Sequence, residues 1–165
     1  MTEALAEALT VRTGKPEDVD AMMHIAMLAC DENGMSNPDP QKLLGEIWSS
    51  LSLHRGIVGI IGDPIEAAVL LRVEPLWYSA DDDLSLIERA VFVHPDFRAA
   101  KGGRARLLIE WSREVAREMN LTLYMGILSD SPRTEAKVRL YRRQFGDPSG
   151  AYWVFRPGEE KSEAA

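Results

Sequence analysis

The densest chemistry in the sequence lies in Val91-Phe92-Val93-His94-Pro95-Asp96-Phe97-Arg98-Ala99-Ala100-Lys101-Gly102-Gly103-Arg104-Ala105. An apolar, β-branched run stops at a proline. A loop with two adjacent glycines and three basic side chains follows, and a helix-forming run begins directly after it. That build suits an anion. The first N–H groups of a helix have no intrahelical partner and lie at the positive end of the helix dipole. Gly102 and Gly103 let a bulky phosphate approach the backbone, and Arg98, Lys101 and Arg104 add whole charges. The spacing is neither a Walker A loop nor a dinucleotide GxGxxG. The plainer reading is a strand-to-helix turn tightened by glycine; the three cations favour the phosphate.

Other reactive side chains stand alone. Glu88 interrupts an otherwise apolar run, Leu84–Val93, either as a base or as a solvent-facing carboxylate beside Arg89. His24, by its spacing from Met23 and Met27, reads as a core or surface residue rather than a catalytic one; His54 and His94 lack acidic partners in sequence, and no His/Cys/Asp grouping has metal-ligand spacing, so no metal is expected. Ser129 and Ser131 lack a nucleophile elbow. Cys30, the one cysteine, falls in the apolar run Ile25–Cys30 and reads as a buried thiol.

The elements that must position these groups follow from periodicity and punctuation. Leu9–Arg12 reads as a short strand. Thr13 to Asp18 starts a helix, with Pro16 in its first turn and carboxylates at its positive end. Val19, Met22, Met23, Ala26 and Met27 recur at spacings of three and four on one face, and Gly34 closes it. Pro38-Asp39-Pro40 opens a second helix to about Ser52, with Leu43, Leu44, Ile47, Trp48 and Leu51 expected inward. Gly56–Ile61 and Glu66–Val73 form a hairpin around Gly62-Asp63-Pro64. Leu84–Val93 is a third long strand. Gly103–Met119 is the strongest helix, with Leu107, Leu108, Trp111, Val115 and Met119 as its stripe. Leu121–Leu128 is a strand, Pro132–Phe145 a helix and Ala151–Phe155 a last strand. The order is β, α, α, β, β, β, α, β, α, β. The expected organisation is one domain over 1–157 and a disordered tail over 158–165.

The chain of 165 residues carries a net charge of −7, which argues against a nucleic-acid partner. Its distribution is uneven: residues 1–97 hold 6 basic and 17 acidic side chains, whereas residues 98–143 hold 11 and 5. An acidic half facing a basic half fits a site between a cationic and an anionic ligand; two solvated, arginine-rich helices would show the same count. Met1–Thr10 lacks the features of a signal peptide, and no apolar run nears the roughly 18 residues of a membrane span. A cytoplasmic protein without a membrane partner is expected.

Val93-His94-Pro95-Asp96-Phe97-Arg98 followed by a glycine-bearing helix start resembles the acetyl-CoA signature of the GNAT superfamily, and the element order resembles that fold over nearly the whole chain. Leu140-Tyr141, with Phe145-Gly146 after it, is similar to the family's leucine–tyrosine pair. The chain departs from the usual pattern at Ala100, where glutamine or arginine is common, at Thr134, where asparagine is common, and in the order of Phe145-Gly146.

The resemblance implies an α/β (α+β) fold with a mixed, mainly antiparallel sheet flanked by helices. It implies an acetyl-CoA-dependent N-acetyltransferase that acts on a primary amine in a ternary complex. The cofactor would lie on Phe92, Val93, Arg98, Ala99, Lys101, Gly102, Gly103, Arg104, Ala105 and Thr134. Glu88 would be the base, and Tyr141 the general acid beside the CoA sulfur, unless its ring only packs the helix. A splayed amide on Leu84–Val93 would hold the oxyanion. Glu32 and Asp83 would face the substrate, a small-molecule or peptide amine arriving from the acidic side. The alternative is a non-catalytic module of the same fold that binds CoA or a protein. An exposed final strand edge fits a homodimer.

Overall fold

The computed structural model describes residues 9–35, 37–98, 103–127 and 133–151. Its strands are β1 (Arg12–Thr13), β2 (Gly56–Ile61), β3 (Ala67–Pro75), β4 (Leu84–Val93) and β5 (Thr122–Tyr124). Its helices are α1 (Val19–Glu32), α2 (Pro40–Leu51), α3 (Arg104–Met119) and α4 (Thr134–Phe145). Single 3₁₀ turns precede α1 at Pro16–Asp18 and follow β4 at Pro95–Phe97. The strands make one sheet in the order β1-β2-β3-β4-β5. The first four pair antiparallel and β5 joins β4 in parallel. The expected mixed, mainly antiparallel sheet is what the chain forms.

Local chemistry accounts for the helix starts. Asp18 accepts from the Lys15 amide at 2.8 Å and takes both Arg12 guanidinium nitrogens, at 2.7 and 2.8 Å. The guanidinium holds the Asp18 carboxyl below its ordinary range. Asp39 caps α2 through the amides of Gln41 and Lys42, with Pro40 in the first turn.

Two apolar cores form, one on each face of the sheet. Met22, Ile25 and Ala29 of α1 and Ile47 and Leu51 of α2 cover Val58, Ile60, Ala68 and Phe92. Leu108, Val115 and Ala116 of α3 cover Val69, Leu71 and Leu86. Helix α3 lies so close to β2 that a Cβ on Gly59 would meet the Trp111 ring at 2.6 Å. Cys30 is buried and unpaired, whereas His24 is exposed.

Several edges differ from the periodic reading. Met27 (39% exposed), Trp48 (50%) and Met119 (45%) were expected inward and face out. The inward row of α2 is Ile47, Ser50 and Leu51, and Trp48 lies beside that row, about 100° round from Ile47. Met119 is the last residue of α3, past the end of the sheet. Only Arg12 and Thr13 of the first strand enter the ladder, although Leu9 and Val11 still pack on the α3 side. Strand β5 is three residues long rather than Leu121–Leu128, for a reason that belongs to the site. Leu128, the proposed strand after Ala151 and the tail lie outside the described residues.

Candidate active site

Strand β4 changes character halfway along. Its lower half pairs on both sides: Ser85, Leu86 and Ile87 face Thr122, Leu123 and Tyr124 of β5. Beyond Ile87 the parallel pairing ends, and among the described residues β4 keeps only β3 as a ladder partner. At the same point the register slips. Leu70 pairs with Ala90 and Leu71 with Glu88, which leaves Arg89 as an extra residue, a β-bulge. The bulge sends Arg89 to Glu74 (2.7 Å) and toward Glu46 of α2. Glu88 pairs with Leu71, a residue of the α3-side core.

The gap left by the parting strands is filled by Glu88. Its Oε2 accepts the Gly126 amide at 3.0 Å, just past the end of β5, where a ladder bond would otherwise form. The same oxygen accepts the Tyr141 hydroxyl from α4 at 3.2 Å. Burial pushes the Glu88 carboxyl up to about 7; the Gly126 amide, the Tyr141 hydroxyl, Lys137 and the Val91 amide oppose the rise without cancelling it. Burial, then the adjacent Glu88 charge, drives the Tyr141 phenol well above its ordinary value, so it keeps its proton. A carboxyl poised near neutrality touching a phenol that stays protonated is a base and an acid within one hydrogen bond of each other.

Three residues of this site, Gly126, Lys137 and Asn33, are not legible in the sequence motifs. Gly126 supplies an amide. Lys137, one turn before Tyr141 on α4, donates to the Asn33 side-chain oxygen at 3.1 Å, at the C-terminal cap of α1. Burial lowers the Lys137 ammonium, with Glu32 and Glu88 pulling against it and Arg98 and Arg133 pushing with it. The four-residue spacing from Tyr141 was the available signal for Lys137, since residues i and i+4 share a helix face.

The basic segment folds differently from three free cations. Arg98 turns back to pair with Glu32, donates to the Val93 carbonyl at 2.8 Å and lies 5.1 Å from the Phe92 ring centroid. Arg104 pairs with Glu66 at 2.6 Å and stacks on Phe97. The whole charges expected of Arg98 and Arg104 therefore already have carboxylate partners. At the start of α3, Gly103 is the cap in the left-handed region (φ 60°), no side chain among the described residues caps it, and no acid stands in its first turn. Arg104 Nη1 is buried without a hydrogen-bond partner. Uncapped amides, Ala105 in the first turn and one unpartnered guanidinium N–H suit a phosphate. Ala99, Lys101 and Gly102 lie outside the described residues.

Of the remaining expected residues, Phe92 is buried in the α1–α2 core and Val93 lies on the α3 side. Thr134 is the first residue of α4, on the helix that carries Tyr141. Glu32 lies beside Arg98 in the cleft region. Asp83 is exposed, just before β4 begins, five residues before Glu88. Among the described residues there is no His/Cys/Asp/Glu grouping able to hold a metal, and no helix is long and apolar enough to cross a membrane.

No family model matches the sequence, and no curated protein matches it. Solved structures do match the fold. One is the aminoglycoside N-acetyltransferase AAC(6')-Iy in complex with CoA, 11% identical, TM-score 0.70, covering 94% of this chain and 98% of that one. Another is the ribosomal-protein-alanine N-acetyltransferase of Brucella melitensis biovar Abortus 2308, 17% identical, TM-score 0.63, with 91% and 99% covered. A third is an aminoglycoside acetyltransferase from an uncultured soil metagenomic sample in complex with sisomicin, 14% identical, TM-score 0.62, with 90% and 93% covered. At these identities the likeness is one of fold, and that fold is the GNAT fold.

Proposed function

We propose that this chain is an acetyl-CoA-dependent N-acetyltransferase that acetylates a primary amine by direct attack in a ternary complex. The observation that carries the reading is the Glu88–Tyr141 hydrogen bond at the point where β4 and β5 part. Two of the structures that share the fold have CoA or an aminoglycoside bound, which supports acetyl-CoA as cofactor and a small amine as substrate.

Acetyl-CoA supplies a thioester carbonyl to the site. The uncapped amides at the start of α3, with Gly103 and Ala105, would hold its pyrophosphate, aided by the spare N–H of Arg104 and by Lys101. Glu88 takes a proton from the attacking amine, directly or through one water. Beyond Ile87 the β5-facing amides of β4 have no ladder partner among the described residues. Such an amide can donate to the carbonyl oxygen as it gains charge. Tyr141 donates its proton to the departing sulfur. Its hydrogen bond to Glu88 then returns the proton from the carboxyl to the phenolate, so both groups are restored after each turnover.

Thermal unfolding with and without acetyl-CoA tests the reading. Saturation at a hundred times Kd stabilises the folded state by about 2.7 kcal/mol, which is a rise of roughly 5–10 °C for a chain of this size. Lys101→Ala should reduce that rise. No shift at millimolar acetyl-CoA overturns the cofactor assignment. A shift without turnover of any amine favours the non-catalytic module.

A further inference from the structure

The carboxylates around the reacting pair are already engaged, although the first 97 residues are strongly acidic. Glu32 is consumed by Arg98. Glu88 is engaged by Gly126 and Tyr141. The Asp81–Asp83 loop lies before the start of β4, and Asp83 is separated from Glu88 by five residue steps, about 16 Å along an extended strand.

What remains is Lys137. It is partly buried, and its one hydrogen bond is to a neutral amide oxygen. It forms no ion pair among the described residues. An ammonium has three donors, and this one uses one of them on Asn33. It stands one helical turn from Tyr141, where side chains four apart lie about 5–6 Å from each other. A half-buried cation with unused donors, next to the catalytic pair, whose attracting carboxylates Glu32 and Glu88 lie beyond ion-pair distance and are bonded elsewhere, is an incomplete ion pair.

We propose that the missing anion is a carboxylate on the acceptor: the substrate is an amine bearing a carboxylate a few bonds away, a free amino acid or a close relative, seated with its amine toward Glu88 and its carboxylate on Lys137. The inference rests on the acetyltransferase reading above and names the acceptor class of that same site. An amine bearing a carboxylate suits both groups of the site, since its amine meets Glu88 and its carboxylate meets Lys137. A polycation would instead place further positive charge against Lys137. The low Lys137 ammonium supports the same reading, because an adjoining carboxylate would restore it.

The experiment measures CoA release with matched acceptors: amino acids against the same amines as carboxamides. It is run on the native chain, on Lys137→Met and on Lys137→Arg, with acetyl-CoA affinity read in parallel by calorimetry. Expected is a preference for the acid of tenfold or more in kcat/KM, carried mainly by KM, as charge-assisted hydrogen bonds are strong where water is scarce. Lys137→Met should flatten the ratio to about one, and Lys137→Arg should keep most of it. Amides that react as well as acids, or a preference that survives Lys137→Met, overturn the inference and leave the acetyltransferase reading standing. A tenfold loss of acetyl-CoA affinity in Lys137→Met overturns it too, by assigning the lysine to the cofactor. Absence of acetyl-CoA binding to the native chain overturns the parent reading itself.

Discussion

Strand β4 has two flanks that differ in every physical respect. On the β3 side the ladder runs from Leu84 to Val93, and the facing side chains Val69, Leu71 and Leu86 are fully buried hydrocarbon. On the β5 side three residues pair and the strands then part. The Glu88 carboxyl reaches across to Gly126 and the Tyr141 phenol meets it, with the Lys137 ammonium one helical turn away, each partly buried. The first flank stabilises the fold through area removed from water. The second leaves polar groups half desolvated, which costs stability and moves their proton affinities. The proposed chemistry lies where the sheet stops satisfying its own backbone, because an amide released from the ladder becomes a donor for something else. Gly126 shows the exchange: its N–H meets the Glu88 carboxylate in place of a strand carbonyl.

If this contrast is right, the two flanks fail in different ways when cut. The largest effect is expected from Glu88→Gln. Loss of the base should lower kcat/KM by about 10³-fold, within the 10²–10⁴ that a positioned base contributes, with acetyl-CoA affinity retained. The native rate should rise with pH through about 7, the value to which burial moves Glu88, since the carboxylate is the active form. The variant should lack that rising limb in its pH profile. A rate that falls less than threefold would remove Glu88 from the mechanism.

Leu71→Ala probes the other flank. Leu71 is fully buried directly opposite Glu88. Its truncation should cost about 3 kcal/mol in urea unfolding and alter turnover of the folded protein far less. A smaller effect is expected from Tyr141→Phe, which leaves the ring and removes the proton donor. A tenfold to hundredfold loss in kcat with little change in KM for acetyl-CoA would mark it as the acid; an unchanged kcat would make its ring a packing element.

The smallest effect concerns stability. The Glu88 carboxyl is raised from 4.5 to about 7 in the folded chain, so the folded state binds its proton more tightly than the unfolded state does. Its contribution is fully present below the unfolded value and is lost as pH rises through the folded one. Glu88→Gln escapes that loss. Relative to the native chain, it should gain about 1–2 kcal/mol between pH 5 and pH 8, a figure reduced because the residue retains some solvent contact. Parallel pH dependences of the two proteins would show that Glu88 is not desolvated.

Much of the frame was legible in the residues. Asp39-Pro40 marks the start of α2 by capping chemistry. Leu108, Trp111 and Val115 mark the buried stripe of α3. Gly103 marks the start of the same helix, where φ of 60° suits glycine. Glu88 and Tyr141 were singled out, one as a carboxylate in an apolar strand and the other through its motif, and the structure brings them within 3.2 Å across 53 residues. Periodicity misplaced Trp48 and Met119 because it reports which face of a helix is apolar, not where the opposing sheet ends.

The sequence by itself determined the local events: where helices start, which strands alternate, and which segment begins a helix at a glycine. These depend on neighbours within a few positions, through capping, dihedral preference and side-chain period. Tertiary structure alone decided which charges survive. Arg98 and Glu32 lie 66 positions apart and Arg104 and Glu66 lie 38 apart, and each pair forms only after the sheet brings its members together. Lys137 is left by that pairing without an ion pair among the described residues, and no local rule could have said so. Coulomb interactions act across space and are strengthened by burial, so the net charge of a site belongs to the fold and not to the order of its residues.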